Sequence, residues 1–269
     1  MTVSLNLMSR TALPVLLLAC LAVMAGCSFL GPNPDSYTSS YEYTVGIDAN
    51  ATIQNATIRL PLPQRNGTAA VDASVVAPNG TVEGAFDATV VETESGPMLE
   101  LTTDELRVEP RYYRVVERNG QGRREEIARS AYDPSNPNHQ MVATRTVGVS
   151  VSVDAEYPLE TRTPVGTEPT FYASGAVTRN ATDCRLPDRG ETVCFAYDAP
   201  VYLAYDAPAN ASVSGIATVG GYNEWFAGGW TGNEYTDRVS FAATGSGSGW
   251  VTGEGYTETG RGNYPAPAP

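Results

Sequence analysis

Strict alternation of apolar and polar residues is what most restricts the fold of this chain. Val147, Val149, Val151 and Val153 alternate with Gly148, Ser150 and Ser152. Tyr41, Tyr43, Val45 and Ile47 alternate with Glu42, Thr44, Gly46 and Asp48. Successive side chains of a strand point to opposite faces, so a period of two marks a strand with one buried face. Further strand-like runs lie at 52–62, 75–76, 86–91, 98–101, 112–116, 125–127, 171–177, 201–205, 212–219, 239–243 and 250–252. Gly, Pro and Asn clusters separate them. No segment keeps a 3.6-residue apolar period over three turns; only 103–108 and 123–130 offer a short helical turn. Many short strands at this spacing predict an all-β antiparallel sandwich, as one large unit or two Ig-like ones. The body is expected over 41–258. A subdivision would fall near 133–139, where Asp133-Pro134-Ser135-Asn136-Pro137-Asn138 is the most turn-dense stretch.

The chain opens differently. Arg10 precedes an apolar run from Thr11 to Ala25, followed by Gly26 and Cys27. That run is shorter than the roughly 20 residues of a membrane span and has the layout of a secretory signal. Met24-Ala25-Gly26-Cys27 resembles the lipobox of lipoprotein signal peptides, in which the cysteine thiol takes a lipid before cleavage. The resemblance implies a signal helix over 1–26, a lipidated Cys27 and contact with membrane lipid on the outer face of the cell. A cut after Ala25 or an uncleaved anchor are the alternatives. Residues 27–40 read as a Pro-broken tether, and 259–269 as a Pro/Ala-rich tail.

The formal charge is −13. Every one of the 17 basic residues is Arg, and only Arg10 lies in the signal. Strong acidity without lysine is similar to proteins of halophilic archaea, so the chain resembles a haloarchaeal membrane-anchored lipoprotein. Such charge keeps a protein soluble where salt screens its self-repulsion. It disfavours nucleic acid as a partner. Six Asn-x-Ser/Thr sites, at Asn50, Asn55, Asn66, Asn79, Asn180 and Asn210, are glycosylation candidates in an exported chain. Asn66-Gly67 and Asn79-Gly80 also read as turns.

Beyond the signal segment and Cys27, the cysteines are Cys184 and Cys194. Pro187-Asp188-Arg189-Gly190 is a turn signature, and a hairpin centred on Arg189 sets 184 opposite 194. A disulfide is expected there. Without a Cys-x-x-Cys pattern or a nearby His, a metal or redox pair is disfavoured.

The oddest stretch is 222–235, where Asn-Glu-aromatic occurs twice: Asn223-Glu224-Trp225 and Asn233-Glu234-Tyr235. Trp225, Trp230 and Tyr235 are candidates for an aromatic platform that binds a carbohydrate or small solute, with Glu224 and Glu234 accepting hydroxyl hydrogen bonds. The structural alternative is a glycine-hinged hairpin whose aromatics fill a core and whose Asn-Glu pairs close turns. Glu224 and Glu234 as paired glycosidase carboxylates form a weaker alternative. With Asp237 they lack the loop pattern of a calcium site. His139, the only histidine, has no Gly-x-Ser-x-Gly elbow and no second His for zinc, and reads as an exposed loop residue. Seven arginines between Arg107 and Arg129 suit an acidic partner or a solvated hairpin equally. The expectation is a non-catalytic envelope module, structural or interacting with an envelope protein or glycan, without cofactor or metal.

Overall fold

The computed structural model describes residues 37–77, 79–173, 175–185, 190–264 and 266. The expected signal segment, Cys27 and residues 28–36 of the expected tether lie outside the described residues. The described chain is nearly all β. It runs β1 (Thr38–Ala49), β2 (Ile53–Pro61), β3 (Gln64–Arg65), β4 (Thr68–Ala69), the single helical turn α1 (Ala73–Val76), β5 (Thr81–Val82), β6 (Phe86–Thr93) and β7 (Gly96–Leu106). An arm follows, of β8 (Arg111–Arg118), β9 (Gln121–Ile127) and β10 (His139–Val142). Then come β11 (Arg145–Asp154), β12 (Asn180–Thr182), β13 (Gly190–Asp206), β14 (Ser212–Phe226), β15 (Trp230–Thr244) and β16 (Gly247–Gly262). The strand body therefore begins three residues before position 41, and β16 carries it past 258 into the expected tail.

Eleven strands share one antiparallel sheet in the order β11-β1-β14-β15-β16-β13-β2-β7-β6-β5, with β12 added to β13. The sheet curls into a sandwich- or barrel-like arrangement. Its two extremes, β5 and β11, come near each other, and α1 packs on both β11 and β6. Strands from either side of 133–139 pair directly, β1 with β14 and β2 with β13. One continuous core fills the inner face. It takes Tyr43, Val45 and Ile47 from β1, Ile58 and Leu60 from β2, Val201 and Leu203 from β13, and Val213, Ala217 and Val219 from β14. Three glycines face aromatics in register: Gly215 opposite Phe241, Gly221 opposite Tyr235 and Gly255 opposite Tyr197. A Cβ at these glycines would lie 2.3, 2.1 and 2.2 Å from the facing rings, so each ring occupies the space its partner leaves.

Three local expectations are corrected, and a choice between strand and helix is decided. Val75 and Val76 lie in α1, not a strand, because the Asp72 carboxylate caps the turn through the N–H groups of Ser74 and Val75. Residues 103–106 continue β7, whose ladder with β2 outweighs the helical spacing. The strand expected at 125–127 forms: residues 121–127 pair with β8 across Asn119-Gly120, both at positive φ, in place of the competing helical turn. Residues 171–177 form no extended strand; they belong to a buried loop described below. The Cys184–Cys194 disulfide forms, with Cα atoms 5.3 Å apart. Its register differs from expectation: Thr182, not Cys184, lies opposite Cys194, so the bridge runs diagonally from just past the end of β12. The expected turn at 186–189 lies outside the described residues.

The two strand ends of the body differ. Thr38, Pro61, Phe226 and Gly262 mark one end; Ala49, Ile53, Leu106 and Ser212 mark the other. The tether joins at the Thr38 end. The arm leaves after Leu106, which pairs with Ile53, and returns at Arg145, which pairs with Ala49. The arm is therefore at the Ala49 end.

Candidate functional site

The β14–β15 hairpin is in unbroken register from Ser212 opposite Thr244 to Phe226 opposite Trp230. Its turn is Ala227-Gly228-Gly229, with Gly228 at φ 76°. The Asn-Glu pairs do not close turns, a correction to the sequence reading. Both lie within the strands, where the pleat sends Asn223, Asn233, Trp225 and Tyr235 inward and Glu224 and Glu234 outward.

The inward polar side chains face the loop 155–179, which closes the Thr38 end. A buried loop carries backbone groups that water cannot reach, so each needs a protein partner. Asn223 supplies two: its Oδ1 accepts the Leu159 N–H at 2.9 Å and its Nδ2 donates to the Leu159 carbonyl at 2.8 Å. Nδ2 of Asn223 also donates to Oδ1 of Asn233 at 2.9 Å, and the Thr161 hydroxyl donates to that oxygen at 2.8 Å. Deeper in, Asp237 is fully buried. It accepts from the Phe171 N–H at 2.8 Å, the Tyr197 hydroxyl at 2.8 Å and the Thr257 hydroxyl at 2.9 Å. Arg179 lies 3.4 Å from the same carboxylate and donates to the Phe171 carbonyl at 2.5 Å. Burial pushes the Asp237 carboxyl above its ordinary range, while Arg179 and the three donors pull it back. Burial also raises the Tyr197 hydroxyl well above its ordinary value, with the Asp237 charge adding to it. This knot is an architectural fastening; its polar atoms are taken up in holding Phe171 and Arg179.

Glu168, in the same loop, is less well matched. Its Oε1 accepts the Glu160 N–H at 2.9 Å, but its buried Oε2 has no partner among the described residues. Burial raises its carboxyl, and Arg65 lowers it in part. The buried Nε2 of Gln64 is likewise unpaired.

The three aromatics expected to form a platform do not share a face. Trp225 is buried and stacks on Tyr37 with ring centroids 5.9 Å apart. Tyr235 is fully buried and its hydroxyl donates to the Pro169 carbonyl at 2.8 Å. Trp230 is 69% exposed and meets Phe226 edge to face at 6.0 Å. Glu234 pairs with Arg261 at 3.2 Å, and Glu224 is exposed on the same outer face.

One feature escaped the sequence reading. Trp250, half exposed, lies opposite Tyr202 with an edge-on contact at 5.5 Å. Arg59 stacks over the Tyr202 ring at 4.6 Å and pairs with Glu100 at 2.6 Å. Trp250, Arg59, Pro200 and residues 92–95 border one shallow hollow. The period of β13 held the signal: with Val201 and Leu203 inward, Tyr202 must face out. The arginine-rich hairpin read from the sequence forms the arm, with β10 added to it. Its packing is a small aromatic group, Tyr112 against Tyr132 at 4.9 Å and Tyr132 against His139 at 6.1 Å. His139 is not a loop residue: it starts β10, and its Nδ1 accepts the Asp133 N–H at 2.9 Å. Arg107 to Arg129 holds seven arginines against four glutamates, a positive insert on an acidic body. All six candidate glycosylation asparagines are exposed, and Asn55 spends its side-chain N–H on Asp206 at 2.9 Å. Among the described residues no group of three or more His, Cys, Asp and Glu gathers as a metal site, and no helix is long and apolar enough to cross a membrane. No protein-family model, curated protein or solved structure matches the chain.

Proposed function

We propose that this chain is a lipid-anchored, non-catalytic module of the cell envelope that presents its arm to another envelope protein. The reading takes Cys27 as the lipidated residue, on the strength of the lipobox-like Met24-Ala25-Gly26-Cys27. One observation carries it: tether and arm leave the body from opposite strand ends. Ala49 lies eleven residues beyond Thr38 in β1, about 36 Å along the strand at 3.3 Å per residue. An anchor at one end thus holds the arm away from the membrane. The arm is a three-stranded sheet, β10-β8-β9, whose outer strands have no further strand partner among the described residues. Open edges suit strand addition by a protein partner, and arginine-rich faces suit one whose surface is acidic.

Site-specific photo-crosslinking in native envelopes tests this. A crosslinker at Arg123, on the exposed strand β9, is expected to capture one discrete partner, and the band is expected to vanish when Arg114, Arg118 and Arg124 are changed to Glu. A band that survives the charge reversal, or no band beside an efficient one from the body, contradicts the reading.

Carbohydrate binding remains as a second reading, moved from the β14–β15 hairpin to the Trp250 hollow, where an exposed indole borders a guanidinium and two carboxylates. Saturable quenching of tryptophan fluorescence by an envelope glycan, lost in Trp250→Ala, is its expected outcome.

A further inference from the structure

The β14–β15 tip and the tether emerge side by side. The first β1 pair is Thr38 opposite Glu224, and Tyr37 stacks on Trp225. The hairpin then continues beyond β1 through Trp225, Phe226 and the turn 227–229 to Trp230. It therefore runs past the point where β1 begins. From Trp225 to Asn233 the chain carries no charged residue, in a protein whose net charge is −13. A Cβ built at Gly228 or Gly229 would meet nothing within 4 Å, so the turn stands clear of the body. Trp230 at its base is 69% exposed, the most exposed large apolar side chain among the described residues.

We propose that this tip, led by Trp230 with Phe226 against it, is a second membrane contact that lies in the headgroup layer beside the lipidated tether. The inference rests on the lipid anchor at Cys27. Ten residues separate Cys27 from Tyr37, at most about 35 Å of extended chain. The anchor thus keeps the tip within reach of the bilayer. Indole rings favour the membrane–water boundary, where their apolar body and N–H are both accommodated. An uncharged tip also avoids the repulsion that an acidic surface meets at anionic headgroups. A lipid alone leaves the body free to swing on its tether; a second contact at the same end orients it, with the arm pointing outward.

Fluorescence quenching tests the proposal on the full mature chain, purified with its anchor and reconstituted into phosphatidylcholine vesicles brominated near the headgroup end of the acyl chains. Wild-type emission is expected to be quenched and blue-shifted relative to detergent-free buffer. Trp230→Phe is expected to lose that quenching, whereas Trp250→Phe keeps it. Co-sedimentation is read on the same samples. Protein that sediments while Trp230 stays unquenched overturns the tip contact and leaves the anchor standing. Protein that remains in the supernatant with Trp230 unquenched overturns both. Because Trp230 is exposed, its substitution leaves the fold intact, which an unchanged thermal transition verifies.

Discussion

The Thr38 end and the arm at the Ala49 end are held together by opposite physics. At the Thr38 end Leu159, Thr161, Glu168 and 170–172 turn inward from a loop, and side chains of β13 to β16 receive them. Asn223, Asn233 and Asp237 serve backbone groups that would otherwise be orphaned. Those bonds are buried, so salt scarcely reaches them. The arm buries little more than Tyr112, and its charge pairs, Arg114–Glu125 at 3.1 Å and Arg118–Glu125 at 3.0 Å, stand in solvent. Such pairs are worth little and are screened further by salt. This acidic chain thus places its fixed architecture where ions matter least. It places its adaptable surface where they matter more.

The comparison breaks most visibly at Asp237. Replacing it with Ala leaves Arg179, the Phe171 N–H and two hydroxyls without their acceptor in the interior. A loss of about 3–5 kcal/mol is expected, by denaturant unfolding at constant high salt. A loss below about 1 kcal/mol would mean that the loop is not fastened there.

The disulfide comes next. Cys194 is buried and Cys184 lies partly exposed beyond β12. The paired Cys184→Ser, Cys194→Ser variant is expected to lose about 2 to 3 kcal/mol, as the short closed loop implies. The loss is expected to be the same in low and high salt.

Tyr132→Ala sharpens the contrast from the other side. It removes the middle ring of the arm cluster, at an expected cost of about 1 kcal/mol. Hydrogen exchange is expected to accelerate in β8, β9 and β10 while β13 to β16 keep their protection. Acceleration spread through the body would merge the two regions into one cooperative unit.

The smallest effect is at Glu168. Its folded carboxyl is raised by burial, so the native state holds the proton more tightly than the unfolded chain. Stability on this account is greatest below the ordinary carboxylate range and falls as pH rises through the raised value. Glu168→Gln removes that decline. The variant is expected to match wild type in acid and to exceed it by about 1 kcal/mol at neutral pH. Equal stability at both pH values would show that the charge is already compensated.

The sequence displayed the strands but not the loop that fastens them. Val147 to Val153 and Tyr41 to Ile47 became β11 and β1 because their alternation had one buried face to satisfy. Phe171 and Tyr172 also looked like strand, since aromatic residues signal a pleated core. In fact they are anchors of the buried loop, and only Asp237, far along the chain, explains them. Asn223 and Asn233 looked like turn residues because a polar amide is rare on an inner strand face. Their purpose depends on a loop sixty residues away. Of the platform candidates, Trp225 and Tyr235 fill the core, as the structural alternative has it, while Trp230, five positions from Trp225 around the turn, falls on the opposite face. The cysteine pair was legible from spacing, while its register was not, because pairing of β12 shifts it by two residues.

A lipid-anchored chain makes one demand that no other placement shares, and intact mass spectrometry of protein from native membranes tests it most directly. The expected species begins at Cys27 and carries the added mass of a lipid on that residue. A species that begins at Met1 or Gly26 with an unmodified Cys27 thiol would contradict the anchor, and with it the outward-facing arm.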